Sequence, residues 1–275
     1  MTADVRATGP RVARAVLPPR PAGRWKAAAG WAAVLGITAL TLAPGTGVEV
    51  DLGAVVRNWQ NGADKVLALL QPDWSFFPRT VAPLLETLQM AVVATAVSGV
   101  VALPLSLWAA RTTDPNRVLR GSVRAVLNVV RAVPDLLYAS VLVAMVGVGA
   151  LPGILALVLF DVGIVVKLVS EQIEASDTGA LEAGLAAGGT QTQVNRAVAV
   201  PDLLPGFVTQ LLYVLELNVR ASSVLGLVGA GGMGLLIDAV RSFYRYDQLS
   251  LIILEILVVV LVLEAVSSAA RRRLV

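Results

Sequence analysis

The side chains in this sequence that could do chemistry are a few charged and polar residues embedded in long apolar runs: Asp161, Lys167, Glu216, Asn218, Arg220, Ser222 and Ser223. There is no histidine and no cysteine. The commonest general base and metal ligand is therefore missing, and neither a thiolate nucleophile nor a disulfide framework is available. Metal chemistry and histidine-assisted hydrolysis are not expected. Arg220 could hold an anion, because a guanidinium meets two oxygens of an oxyanion at once. Asn218, Ser222 and Ser223 could add neutral hydrogen bonds, and a half-helix N-terminus would add partial positive charge. The other reading of Arg220 is a side chain snorkelling to a membrane interface. Asp161 lies in the middle of an apolar run, where an uncompensated charge costs about 3 kcal/mol. It is expected to face protein or water, in a structural ion pair with an arginine rather than in contact with an anion. Glu216 raises the same repulsion and could pair with Arg220. A Ser–Lys hydrolase built from Ser222 or Ser223 with Lys167 is the enzyme alternative; the apolar runs put the serines and the lysine towards opposite membrane faces.

Five of the nine residues from Gly226 to Gly234 are glycine, each costing about 1 kcal/mol against alanine in a helix. A regular lipid-facing helix is not expected there. Irregular backbone at membrane depth survives only when buried in protein or lining a wet cavity. Gly229, Gly231 and Gly232 are thus placed in a broken or re-entrant element beside a solute path. Gly229, Gly231 and Gly234 also spell G-x-G-x-x-G, but a dinucleotide site needs a strand before and a soluble α/β domain around it.

Residues 170–201 form a polar break between two apolar runs. Ser176-Asp177 offers a cap for a short helix over Leu181 to Gly189, and Thr190 could cap a second one ending at Pro201. The first is rich in alanine and glycine, so another protein's surface could approach its backbone closely. Glu182 gives it one fixed charge.

The elements that must position these residues are membrane helices. Of 275 residues, 56% are hydrophobic and 15% charged, against about half and a quarter in a soluble domain; mean hydropathy is +0.76. Crossing a bilayer takes about 20 mostly apolar helical residues. Six such runs are read: residues 25–44, 84–108, 132–149, 151–169, 203–219 and 249–267. An all-α polytopic membrane protein is expected, with both termini on one side. Residues 1–24 form a basic, proline-containing tail, read as disordered and as a topology determinant rather than a nucleic-acid arm. Residues 45–80 are an outer segment with an interfacial helix bearing Trp59, and Trp74 at interfacial depth. Residues 81–275 are the main membrane domain. The tail, the arginines from Arg111 to Arg131, Lys167, Arg196 and Arg271 to Arg273 all fall on the side of the termini, which the positive-inside rule makes cytoplasmic.

Glu182-Ala183-Gly184, three residues, Gly188, nine residues, Val198, one residue, then Val200-Pro201 resembles the EAA loop of ABC importer permeases. The departures are Gly184 for alanine, Val198 for isoleucine and Val200 for leucine. The run from Glu216 to Gly234 resembles the corresponding stretch of phosphonate ABC transporter permeases, and Asn128-Val-Val-Arg131-Ala-Val-Pro134-Asp135 is similar to another, with aspartate for glutamate. The resemblance covers about residue 80 to the C-terminus. It implies the type I ABC importer permease fold and a transport subunit rather than an enzyme. It makes residues 176–201 the coupling loop, with Glu182, Ala183, Gly184, Gly188, Val198 and Pro201 facing the ATPase. It further implies a homodimer in the bacterial plasma membrane with two ATP-binding cassette subunits and an extracytoplasmic solute-binding protein. The chain itself is expected to bind no cofactor, ATP and Mg being held by the ATPase. Phosphonate or a related oxyanion (phosphite, phosphate) is the expected solute; D-methionine is the alternative.

Overall fold

The computed structural model describes residues 24–41 and 52–274. Most of the basic tail and the first break, including Pro44, lie outside the described residues. The chain divides after Asn61 into two units. The first contains α1 (Arg24–Thr41), α2 (Leu52–Arg57) and the start of α3 (Trp59–Leu69). Residue 62 onward forms the second unit, in which a 3₁₀ turn over Trp74–Phe76 leads into α4 (Phe77–Ala109). Asp73 caps that turn, its Oδ1 accepting from the N–H of Ser75 at 3.0 Å.

Among the described residues, four helical stretches are long and apolar enough to cross a membrane: 74–109, 150–175, 191–228 and 246–273. The six-span expectation is corrected in one place, and the first run, at 25–44, extends beyond the described residues. Helix α1 has 18 described residues and is not in that set. The span expected at 132–149 holds only α6 (Asp135–Val146), which is joined at a bend to α5 (Arg117–Ala132). The two meet at 85°, and the pair counts as at most one span. Pro134 is the cause: it has no N–H to donate and forces the residue before it out of helical geometry, and Val133 is extended at φ −88°, ψ 127°. Twelve residues of α6 reach only about 18 Å, short of a bilayer core of about 30 Å.

Helix α7 (Ala150–Ala175) packs along α4, and α10 (Val200–Leu225) packs on both. Small side chains let the backbones close up: Ala91, Ala94, Ser98 and Ala102 of α4 are buried, as are Gly153 and Ala156 of α7. At Gly153 a Cβ would lie 2.4 Å from Met90 Cε and 2.5 Å from the carbonyl oxygen of Ala230. Without a hydrophobic drive between helices in lipid, such close packing is a main source of association. The chain then passes through α8 (Gly179–Ala186) and α9 (Gln191–Val194), with α11 (Gly232–Ser242) and α12 (Tyr246–Leu274) closing it.

Pro201 does not end a short helix, as the sequence reading had it. A π turn over Asn195–Ala199 carries α9 into α10, so helix is continuous from 191 to 225. The N–H of Val200 donates to Asn195, five residues back, which sets the widened turn directly before a residue with no N–H to give.

Candidate functional site

The loop region at 176–201 is held to the bundle by a small apolar cluster. Leu181, Val194 and Ala199 are buried, with Leu107 and Val198 packed against them. Helix α8 starts two residues earlier and stops three residues sooner than expected. Asp177 Oδ1 accepts from the N–H of Gly179 at 2.9 Å, and Thr178 Oγ1 donates to Glu182 Oε1 at 2.9 Å, which fixes the carboxylate. The helix stops at Gly188, whose φ of +89° is the left-handed conformation that ends helices at little cost only in glycine. Gly184 stands over Val194, whose methyls would lie 3.1 Å from an added Cβ. Thr190 and Gln193 form a capping box for α9. Glu182, Ala183, Gly188 and Pro201 are exposed, Gly184 and Val198 half-buried. The loop therefore offers a rigid helix of small residues with one tethered charge on its outward face.

Inside the bundle, Asp161 is 1% exposed. Among the described residues no arginine reaches it, contrary to expectation. Asn218 Nδ2 donates to Asp161 Oδ2 at 2.7 Å and to Thr95 Oγ1 at 3.0 Å, and Ser98 Oγ donates to the same carboxylate oxygen at 3.5 Å. Three helices are cross-tied through this one carboxylate: α4 by Thr95 and Ser98, α7 by Asp161, α10 by Asn218. All three hydrogen bonds of this cluster are donated by neutral side chains. Glu216 likewise does not pair with Arg220. It takes Arg271 at 3.3 Å, joining α10 to α12, while Arg220 Nε donates to the backbone carbonyl of Glu216 at 3.3 Å. Thr95, Ser98 and Arg271 were missed by the sequence reading. The first two were visible in principle as hydroxyls three apart on the small-residue stripe of α4.

Ser222 and Ser223 are buried, and both hydroxyls donate to the carbonyl of Val219, at 3.1 and 3.2 Å. Lys167 is paired with Glu171. No hydrogen bond joins serine to lysine, so the hydrolase reading has no dyad to rest on.

The glycine-rich stretch is broken as expected. After α10, a 3₁₀ turn (Gly226–Val228) leads to Gly229, Gly231 and Gly232, with φ of +93°, +85° and +64°. The turn locks to neighbours on both sides. The N–H of Gly149, just before α7, donates to the carbonyl of Gly229 at 3.0 Å, and the N–H of Met233 donates to Thr87 Oγ1 of α4 at 2.8 Å. Gly226 and Gly234 pass so close that a Cβ on Gly226 would lie 2.4 Å from Gly234 Cα. The segment before G-x-G-x-x-G is helix α10, not a strand, so the dinucleotide reading lacks its structural context.

The profile of the family described as "Binding-protein-dependent transport system inner membrane component" matches residues 102–275, which hold α8, the polar cross-tie from Asp161 to Asn218 and the glycine knot. The chain belongs to this family. It is a membrane subunit of an ABC importer and not an enzyme. Among similar proteins is the phosphite transport system permease protein PtxC of Stutzerimonas stutzeri, 38% identical over 216 residues, covering 77% of this chain and 78% of that protein. Another is the phosphate-import permease protein PhnE of Mycolicibacterium smegmatis, 38% identical over 77% of this chain and 41% of that protein. A probable D-methionine transport system permease protein MetI of Vibrio cholerae is 29% identical over 201 residues, covering 68% of this chain and 88% of that protein. Among solved structures, the inward-facing MetNI methionine ABC transporter matches with a TM-score of 0.66 at 23% identity, over 74% of this chain and 99% of that one. That likeness establishes the all-α polytopic fold of type I importer permeases. Permeases of this family work with ATPase and solute-binding partners.

Proposed function

We propose that this permease forms the translocation path for phosphonate or a related phosphorus oxyanion, phosphite or phosphate, and is driven through α8 by a cytoplasmic ATPase. The observation that carries the coupling role is the outward face of α8. Glu182 is held by Thr178 and the helix is stopped by left-handed Gly188, which makes a stiff handle that a partner's cleft can grip without reordering it. The solute class is supported by the similar proteins named for phosphite and phosphate transport. In this reading two copies enclose the path, two ATP-binding cassette subunits supply ATP and Mg, and an extracytoplasmic solute-binding protein delivers the anion. Both termini and α8 face the cytoplasm, and residues 45–80 lie outside with α3 at the interface. Glu182, Ala183, Gly184, Gly188, Val198 and Pro201 serve the coupling loop. Around the path, Arg220 supplies positive charge, Asn218, Ser222 and Ser223 shape the wall, and the turn at Gly229, Gly231 and Gly232 flanks it.

The test is uptake by proteoliposomes containing the permease, its ATPase and its solute-binding protein. ATP-dependent accumulation of phosphite, phosphate or methylphosphonate is expected. Accumulation of D-methionine instead would overturn the solute assignment, and flux without the ATPase would overturn the coupling.

A further inference from the structure

Helix α5 carries Arg117, Arg120, Arg124, Asn128 and Arg131, spaced three and four apart, so all five lie on one face within an arc of about 80°. On the lower part of this face only Arg124 meets an acid; Arg120 donates to the carbonyl of Asp114 at 2.8 Å, and among the described residues Arg117 makes no hydrogen bond or ion pair. Arg124 donates to the carbonyl of Ala109 at 2.7 Å and is ion-paired with Glu174 near the end of α7, to which Arg111 also lies at 3.9 Å. Lys167 and Glu171 of α7 pair with each other. Arg124 and Asn128 line a cleft of about 320 Å³ between α5 and α7, and four arginines (111, 117, 120 and 124) ring the open hollow beside it.

Arg131 differs in where it lies. It lies against Gly163, at the middle of α7, where a Cβ would come within 2.6 Å of Arg131 Cγ. The missing side chain at 163 is what lets the arginine stem lie across α7. Its guanidinium is exposed, and among the described residues it makes no hydrogen bond or ion pair. Asp135, four residues on, sits beyond the 85° bend and its Oδ1 accepts from the N–H of Leu136 at 2.9 Å. An unpaired cation half-way along a candidate span is costly unless water or an anion meets it.

We propose that Arg131, with Asn128 one turn below it, is the station that holds the phosphorus oxyanion midway through the path, and that Arg124, Arg120 and Arg117 form the lane by which it leaves. This rests on the oxyanion-importer reading above. One unpaired guanidinium gives a bidentate hold. Of the cations below, Arg124 is already answered by Glu174 and Arg120 is tied to a backbone carbonyl, so the anion is drawn onward without being trapped, as conduction requires.

The test uses the full complex with its ATPase and binding protein, in vesicles of phosphatidylcholine and in vesicles containing phosphatidylglycerol, with phosphite and phosphate as probes. Arg131→Gln is expected to lower uptake at least tenfold while stimulation of ATPase by the loaded binding protein stays within twofold. Arg131→Lys is expected to recover part of the uptake, and Gly163→Ala, which displaces the arginine stem, to lose several-fold. Wild-type uptake in Arg131→Gln overturns the proposal. So does loss of uptake and ATPase stimulation in equal measure, which marks a folding or assembly role. A defect confined to vesicles with phosphatidylglycerol also overturns it, because the arginine would then be answering a lipid headgroup. A wild-type complex that pumps ATP-dependently but moves neither probe overturns the oxyanion reading itself, and this assignment falls with it.

Discussion

Asn218→Leu would leave Asp161 with one long hydrogen bond, from Ser98, at a site 1% exposed. Losing a hydrogen bond to a buried charged group costs about 1.5–3 kcal/mol, so a clear fall in thermal midpoint in detergent is expected. Asp161→Asn should be milder, since an amide needs less solvation and still accepts from Asn218. Equal midpoints for Asn218→Leu and wild type would show that the cross-tie contributes nothing. Arg220→Ala is expected to lower oxyanion uptake or raise ATPase activity in the absence of solute; unchanged transport would reduce Arg220 to its bond with the carbonyl of Glu216. At this scale the sequence revealed which residues are unusual but not whom they meet. A charge in an apolar run is visible at once. Its partner depends on rotamers and on which helix faces which, so Asp161 and Glu216 were each given the wrong one.

Helix α8 was legible because its signals are local: capping residues before it, a glycine after it, small side chains between. Gly188→Val puts a β-branched residue at φ +89°, a strained conformation for any side chain but glycine. It should leave membrane insertion intact and abolish ATP-driven uptake, as should Glu182→Trp on the outward face. Normal uptake in both variants would remove the docking role. Gly153→Ala tests the bundle instead. The new methyl meets the backbone oxygen of Ala230 at 2.5 Å, and overpacking of this kind costs about 1–3 kcal/mol, readable as a lower thermal midpoint. The α5–α6 pair was not legible as two elements. Arg117 to Arg131 read as a polar break, so α5 was not expected to join a span, and hydropathy is blind to a bend. The proline was in plain view, but prolines 83 and 104 sit inside α4 without breaking it, so the residue type alone does not decide.

For the whole molecule, the absence of cysteine makes topology directly measurable. A single Ala183→Cys should react with a membrane-impermeant maleimide only after the membrane is opened from the cytoplasmic side; labelling of intact cells would place α8 outside and sink the coupling assignment. The crossing expected at 132–149 is instead the 12-residue α6, too short to span alone; hydropathy reads an apolar run as straight. The contact between Gly226 and Gly234 has a mechanical corollary. With two backbones meeting where no side chain could stand, the joint between α10 and α11 has no slack. Displacement entering at the Pro201 end of α10 would therefore arrive at α11 with its amplitude kept, the pair swinging as one bent lever. A methyl group at either glycine would wedge that lever open and let its arms drift apart.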